Sequence, residues 1–272
     1  LFATVEDWAR ELGCAAVHGP LGFTDMDREG MLVEGFDRRS CFFTYYNFPY
    51  YIDHMTALGY VKDVDWVEYR MKVPDAIPEK YLRIADIVRR KYKLRNIKFT
   101  SRKKIKEQYG QALFELINEA YKDLYGYSQL SPKQIEYYIN EYLGIIRLED
   151  VSVVVDENDE LVAVGISMPS LSKALRRARG RFLPLGWYHL LRAIRGHSDV
   201  VDLLLVAVKP EYQNKGVNAL LFADLIPICQ QMGFKFGETH PQLETNEKSQ
   251  GQWAYLDAEV HKHRRCYQKS LK

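Results

Sequence analysis

Apolar positions along this chain fall into blocks of two kinds, continuous or alternating runs and runs at helical spacing. One β-branched and aliphatic run is Val201-Asp202-Leu203-Leu204-Leu205-Val206-Ala207-Val208, bounded by Lys209-Pro210. A β-branched and aliphatic run of that length before a proline predicts a buried central strand. A polar turn follows, Gln213-Asn214-Lys215-Gly216-Val217-Asn218, and then apolar residues at helical spacing from Ala219 to Leu225. The helix is expected to end near Gly233, where a C′ glycine belongs. A strand feeding a glycine-containing turn at a helix start aims bare N–H groups and the positive end of the helix dipole at one spot. Such a spot binds anions, phosphate in particular.

The other blocks predict elements on both sides of this unit. Leu1–Gly13 reads as a helix and Cys14–His18 as a short strand, followed by a loop-rich insertion from Gly19 to Arg39. A helix ends near Leu58, and Asp65–Val73 alternates as a strand. Pro78–Lys93 is an amphipathic helix and Ile97–Thr100 a strand. Lys103–Tyr125 and Ser131–Leu143 are helices, the second opened by Ser131-Pro132, a cap residue followed by an N1 proline. Val151–Val155 and Leu161–Met168 form a hairpin. Laid without gaps over Leu221–Gly233, the segment Leu1–Gly13 matches at Leu1, Phe2, Ala3 and Gly13. That suggests an internal repeat, with the turn of its first copy expected upstream of Leu1.

Composition narrows the picture. A length of 272 residues suits one large domain or two small ones. The formal net charge of +2 supplies no global electrostatic argument for nucleic acid, and no such partner is expected. Cys14, Cys41, Cys229 and Cys266 lack ligand spacing and read as reduced thiols of a cytoplasmic protein, with no metal site expected. No apolar run is long enough to span a bilayer. One segment stands apart. Ser170–Ser198 carries Lys173, Arg176, Arg177, Arg179, Arg181, Arg192 and Arg195 without an acid, with Leu183, Trp187, Tyr188, Leu190 and Leu191 on another face. Two short helices broken at Pro184 to Gly186 fit it. Three readings stay open: a solvated basic flap packed on the core, a lid favouring an anionic or amphiphilic substrate, or a segment lying on a membrane or other anionic surface.

The unit at Val201–Gly233 resembles motif A of the GNAT acyltransferases, a strand followed by Arg/Gln-x-x-Gly-x-Gly/Ala. Gln213, Lys215 and Gly216 match it, and Asn218 stands where Gly or Ala is usual. The element order from Ile97 to Lys272 is similar to that of the family as well. The resemblance implies an α/β (α+β) fold with a mixed central sheet flanked by helices. It implies a partial GNAT-like unit over 1–75, a linker helix over 76–94 and a complete unit over 95–272. Acetyl-CoA or another acyl-CoA would be the co-substrate, and a small-molecule or peptide amine the acceptor. A homodimer is compatible with it.

By the same resemblance, Leu205, Val206, Ala207 and Val208 would pair with the pantetheine arm. Gln213, Asn214, Lys215, Gly216, Val217, Asn218 and Ala219 would bind the pyrophosphate, and Asn246 the cofactor arm. Asp202 stands at the offset of an acidic general base in one branch of the family, with Glu238 and His240 as competitors. Many members carry a Tyr general acid where this chain has Trp253, which leaves Tyr255 as the nearest hydroxyl. Asn218 and Trp253 also suit an alternative, a degenerate module that binds CoA or a partner without chemistry.

Overall fold

The buried runs come together in one sheet. The computed structural model describes residues 1–24, 26–253 and 255–272, apart from the side chains of residues 141–145 and 248. The elements are α1 (Phe2–Glu11), β1 (Ala16–Gly19), β2 (Met31–Glu34), α2 (Tyr50–Ala57), β3 (Val61–Lys72), α3 (Glu79–Tyr92) and β4 (Arg95–Ile97). They continue with α4 (Arg102–Tyr121), α5 (Pro132–Ile145), β5 (Val151–Val155), β6 (Leu161–Pro169), α6 (Ser172–Ala178), α7 (Gly186–Ile194) and β7 (Val200–Val208). The last are α8 (Asn218–Gln231), β8 (Phe236–Thr239), β9 (Gln242–Leu243), α9 (Glu247–Gly251) and β10 (Ala258–Ser270).

Strand order is β1-β10-β3-β8-β7-β6-β5-β4, with β2 also on β10 and β9 also on β3. β7 and β8 run parallel, as a strand pair joined by a crossover helix must. The alternation along β5 separates two layers. Val151, Val153 and Val155 face a cluster with Leu113, Phe114, Ile117 and Ile139 of α4 and α5, and Val154 faces one with Leu220, Leu221 and Phe222 of α8.

Two features describe how the segments 1–75, 76–94 and 95–272 meet. First, β3 lies between β8 and β10, so residues 1–75 and 95–272 interleave in a single sheet. The middle of β3 explains this, because Val64, Asp65, Trp66, Val67 and Glu68 are all buried. Such a run of buried residues suits a strand inside the sheet with both faces covered. Second, the 76–94 helix is part of the core. Tyr81, Ala85 and Val88 of α3 pack into the α8 cluster. The insertion after Gly19 also contains the short strand β2, bonded to β10.

A buried ion network ties the β3, β8 and β10 strands together. Arg264 Nε and Lys262 Nζ donate to Glu68 at 2.5 and 2.9 Å, and Arg70 donates to Glu238 at 2.7 Å. Glu68 is fully enclosed. Burial pushes its carboxyl up, but Lys262 and Arg264 outweigh that and hold it below the usual carboxylate range.

Candidate functional site

The chemistry-bearing residues gather where β7 and β8 part. The parallel pairing runs from Val200↔Phe236 to Leu203↔Thr239, and the His240 N–H still donates to the Leu203 carbonyl at 3.1 Å. Beyond that point Pro241 follows, and the chain stays on β3 through Leu243↔Trp66 and Gln242↔Val67. On the other side β7 bends away along β6. Its pairs Leu203↔Ser167 and Leu205↔Ile166 leave Leu204 as the extra residue of a bulge. A bulge bends its strand and leaves part of the ladder unpaired. The splay opens a cleft of about 650 Å³, which runs from His240 along Leu204–Val206 and Val208 to the turn at Gln213, Asn214 and Gly216.

The turn has the geometry its residues require. Asn214 and Gly216 are left-handed, with φ of +60° and +80°. A side chain at Gly216 would bring its Cβ to 2.7 Å from Ile84 Cγ2 of α3, so glycine permits both the backbone conformation and the approach of α3. Gln213 Nε2 donates to the Val208 carbonyl at 3.2 Å. Val217, Asn218 and Ala219 also line the cleft, at the start of α8. The Asn218 amide donates to Gln252 Oε1 at 3.1 Å, which ties the turn after α9 to the start of α8. Lys215 does not line the cleft. Its ammonium lies 5.2 and 5.4 Å from the Tyr92 and Tyr212 ring centroids, a cation–π setting.

On the opposite face a second, smaller chamber of about 180 Å³ reaches the same point. Its walls are largely apolar and include Phe43, Leu113, Phe114, Ile117 and Ile166, with Asp27 and Glu29 adding carboxylates. Trp66, Tyr121, Leu204, Leu205, His240 and Pro241 line both spaces. Cleft and chamber therefore meet around His240 and the β7 bulge. The Tyr121 hydroxyl donates to the Val206 carbonyl at 3.0 Å, on the splayed part of β7.

His240 has a buried polar group behind it. Cys41 Sγ lies 4.0 Å from His240 Nε2 and 3.5 Å from Asp202 Oδ2. Burial pushes the His240 imidazole down to about 4, aided by Arg264 and Lys262, so it is neutral at pH 7. Burial, reinforced by Glu238, pushes the Asp202 carboxyl up to about 7. Desolvation and the nearby Asp202 push the Cys41 thiol well above its ordinary value, which suits a neutral hydrogen-bonding bridge and not a nucleophile.

The expected site residues divide accordingly. Leu205, Val206, Val208, Gln213, Asn214, Gly216, Val217, Asn218, Ala219, Asn246 and Tyr255 line the cleft. Ala207 does not, because its side chain packs on the α4/α5 side. Asp202 lies beneath the junction at 1% exposure, and Glu238 is engaged by Arg70 and lies 3.8 Å from Lys262. Neither carboxylate lines the cleft or the chamber. Of the three base candidates, His240 is the one placed there. Tyr255 lies beyond the short α9 in a turn, with its hydroxyl 2.5 Å from Lys80 Nζ. Trp253 is a core residue, edge-on to Phe222 and donating to Gln242 Oε1 at 3.1 Å. The Asn246 side chain caps α9 by accepting from Ser249 N at 3.1 Å.

Sequence reasoning missed the roles of Cys41 and of the chamber walls from the loop around residues 26–44, where no periodicity or motif marks them, and of Tyr121, which it placed on a helix without a role. It also missed a cluster of scattered residues away from the cleft. Among the described residues, His18, Asp63 and Cys266 bring potential metal-ligand atoms within 4.8 Å of one another. The Tyr125 hydroxyl stands among them, 2.9 Å from His18 Nδ1, 3.6 Å from Cys266 Sγ and bonded to Asp63.

The fold is that of the GNAT N-acetyltransferases. The solved structure of a tandem GNAT protein from the clavulanic acid biosynthesis pathway matches all of this chain and 69% of its own, with a TM-score of 0.50 at 12% identity. A GCN5-related glucosamine N-acetyltransferase region of a fungal multi-domain β-N-acetylglucosaminidase matches 99% of this chain and 27% of its own, with a TM-score of 0.55 at 11% identity. In sequence the chain is similar to Protein YghO of Escherichia coli (strain K12), 24% identical over 277 residues, spanning all of this chain and 70% of that protein. It is also similar to the bacterial ceramide synthase of Caulobacter vibrioides (strain NA1000 / CB15N), 24% identical over 286 residues, spanning all of this chain and 71% of that protein. No family model matches the chain.

Proposed function

We propose that this protein is an acyl-CoA-dependent N-acyltransferase whose acceptor is an amine carried on a long apolar body. The observation that carries the reading is the meeting of the β7/β8 cleft and the apolar chamber at His240. The cleft suits an acyl-CoA, with the start of α8 and the turn at Gln213–Gly216 for the pyrophosphate and the splayed edge of β7 for the pantetheine arm. The chamber suits a hydrocarbon chain, and Asp27 and Glu29 favour a cationic amine beside it. The name of the Caulobacter relative agrees with this chemistry, since a ceramide is a long-chain amino alcohol acylated on nitrogen.

Bound acyl-CoA would supply the thioester carbonyl. The ammonium first gives up one proton to solvent; the neutral amine then attacks that carbonyl, and His240, neutral at pH 7, accepts the second proton as the C–N bond forms. Glu68 favours the charged form of the imidazole, and Cys41 stands behind it as a neutral bridge to Asp202, whose carboxylate would add to that once ionised. The new C–N bond replaces the C–S bond, and the CoA thiolate leaves with a proton. The Tyr121 hydroxyl would supply that proton on leaving the Val206 carbonyl and regain one from solvent, since Trp253 has no hydroxyl at the position usual for the family. The backbone at the Leu204 bulge lies along the cleft and would offer a donor to the developing oxyanion.

A thiol-release assay with acetyl-CoA and palmitoyl-CoA, each against short and long-chain amines, tests the reading. Amide formation is expected with the long-chain amine and only weakly with a short one. The same panel ranks the acyl chains. CoA binding without amide from any amine would favour the non-catalytic module.

A further inference from the structure

The basic segment between β6 and β7 is a helical hairpin with an apolar tip. The α6 and α7 helices pack together through Leu171, Ala174 and Ala193 on Met168, Phe43 and Leu204. Gly186 makes the turn possible, because a Cβ there would lie 1.8 Å from the Arg181 carbonyl oxygen. Trp187 Nε1 closes the tip by donating to the Pro184 carbonyl at 2.9 Å. At that tip Phe182, Leu183 and Leu185 are 65%, 70% and 60% exposed, and Trp187 and Tyr188 are also exposed.

Arginines flank this apolar cap. Lys173 is paired with Asp199 at 2.6 Å. Arg176, Arg177, Arg179, Arg181, Arg192 and Arg195 are exposed, and no carboxylate lies in the segment. Exposed leucines, a phenylalanine, a tryptophan and a tyrosine beside unopposed arginines match the layered polarity of an anionic bilayer surface, with headgroup charge above and hydrocarbon just below. A solvated flap would not need the large apolar side chains outside, and a nucleic-acid face would not need aliphatic ones.

We infer that the α6–α7 hairpin docks this protein peripherally on an anionic lipid bilayer, with Phe182, Leu183 and Leu185 entering the interface. The base of the hairpin touches Phe43 and Leu204, two residues lining the chamber, so docking would hold the chamber close to the lipid phase. The surface stands on its own observations and does not depend on the acyltransferase reading.

Flotation of the full chain with phosphatidylcholine vesicles, with and without 30% phosphatidylglycerol as ~one lipid in three, tests it. Binding is expected to the anionic vesicles and to weaken about tenfold or more between 0.1 and 0.5 M salt. Two separate variants, Leu183→Ser with Leu185→Ser and Arg176→Gln with Arg177→Gln, should each reduce it about tenfold with unchanged circular dichroism. Brominated lipid should quench tryptophan emission in the native chain and much less in Trp187→Phe. Equal binding to neutral vesicles, no binding, or full binding by both variants would overturn the inference. So would RNA binding that displaces the vesicles and is lost in the arginine variant but kept in the leucine variant.

Discussion

The two compartments that meet at His240 are built in opposite ways. The cleft comes mainly from two stretches of chain, 203–222 and 240–255, and much of its shape is made by backbone: a bulge, a kink at Pro241 and a glycine turn. The chamber comes from side chains spread between Met26 and Pro241, on six or more separate segments. A backbone-built cleft recognises what its ligands share, on the proposed reading a phosphate and an amide-bearing arm. A chamber built of side chains can be reshaped by single substitutions. On the proposed reading, the difference teaches that cofactor type and acceptor type are set by largely separate parts of this molecule, which meet only at the shared residues around His240.

The largest expected effect falls on His240, one of the residues the two share. His240→Ala should lower the turnover of amide formation by about 100- to 10,000-fold with CoA affinity nearly unchanged, read by steady-state kinetics beside calorimetry. Next, Gly216→Glu places a side chain against Ile84 at a left-handed position. CoA affinity should fall more than about 100-fold, or ~3 kcal/mol, while binding of a long-chain amine persists. On the other side, Ile117→Phe narrows the chamber. It should cost a long-chain amine about 10- to 200-fold in kcat/KM and leave CoA binding intact. If either substitution weakened both ligands alike, the compartments would not be independent.

The smallest effect should come from Asp202→Asn, about tenfold in rate, with a pH signature. The native carboxyl has its pKa raised to about 7 from 3.8. The folded chain thus keeps a proton that the unfolded chain has lost, and this contribution to stability declines as pH rises from about 4 to about 7. The variant should not show that decline and should melt higher than the native chain above pH 7. His240 works in the other direction. Its pKa is lowered to about 4, so its contribution is present above pH 6.5 and is lost as pH falls toward 4. In activity, the native rate should rise through pH 7, and the rise should flatten in the variant.

The same contrast explains what could be read from the sequence. The strand, turn and helix at Val201–Gly233 are contiguous, and their hydrophobic period and glycine announce them. The α4 and α5 helices and the β5–β6 hairpin are local as well. The insertion of β3 between β8 and β10 is a long-range pairing, visible afterwards in the five consecutive buried residues Val64–Glu68. Asp202 drew attention by its family offset, but the strand directs its side chain to Cys41, beneath the junction. His240 was legible as a candidate. Its place in the site depends on the parting of β8 from β7 and the Pro241 that follows. Phe43 and Cys41 lie in a stretch without periodicity, and only folding brings them to the β7 bulge.

The central claim is that an acyl-CoA in the cleft and a long-chain amine in the chamber react at His240. Single-turnover mass spectrometry with acyl-CoA and a long-chain amine measures it directly, comparing the native chain with His240→Ala at saturating concentrations of both. Stoichiometric amide from the native chain, with the variant binding both ligands but forming amide at least about 100 times more slowly, is the expected result. Equal rates in the two chains, or no amide from the native chain with both ligands bound, would contradict the account.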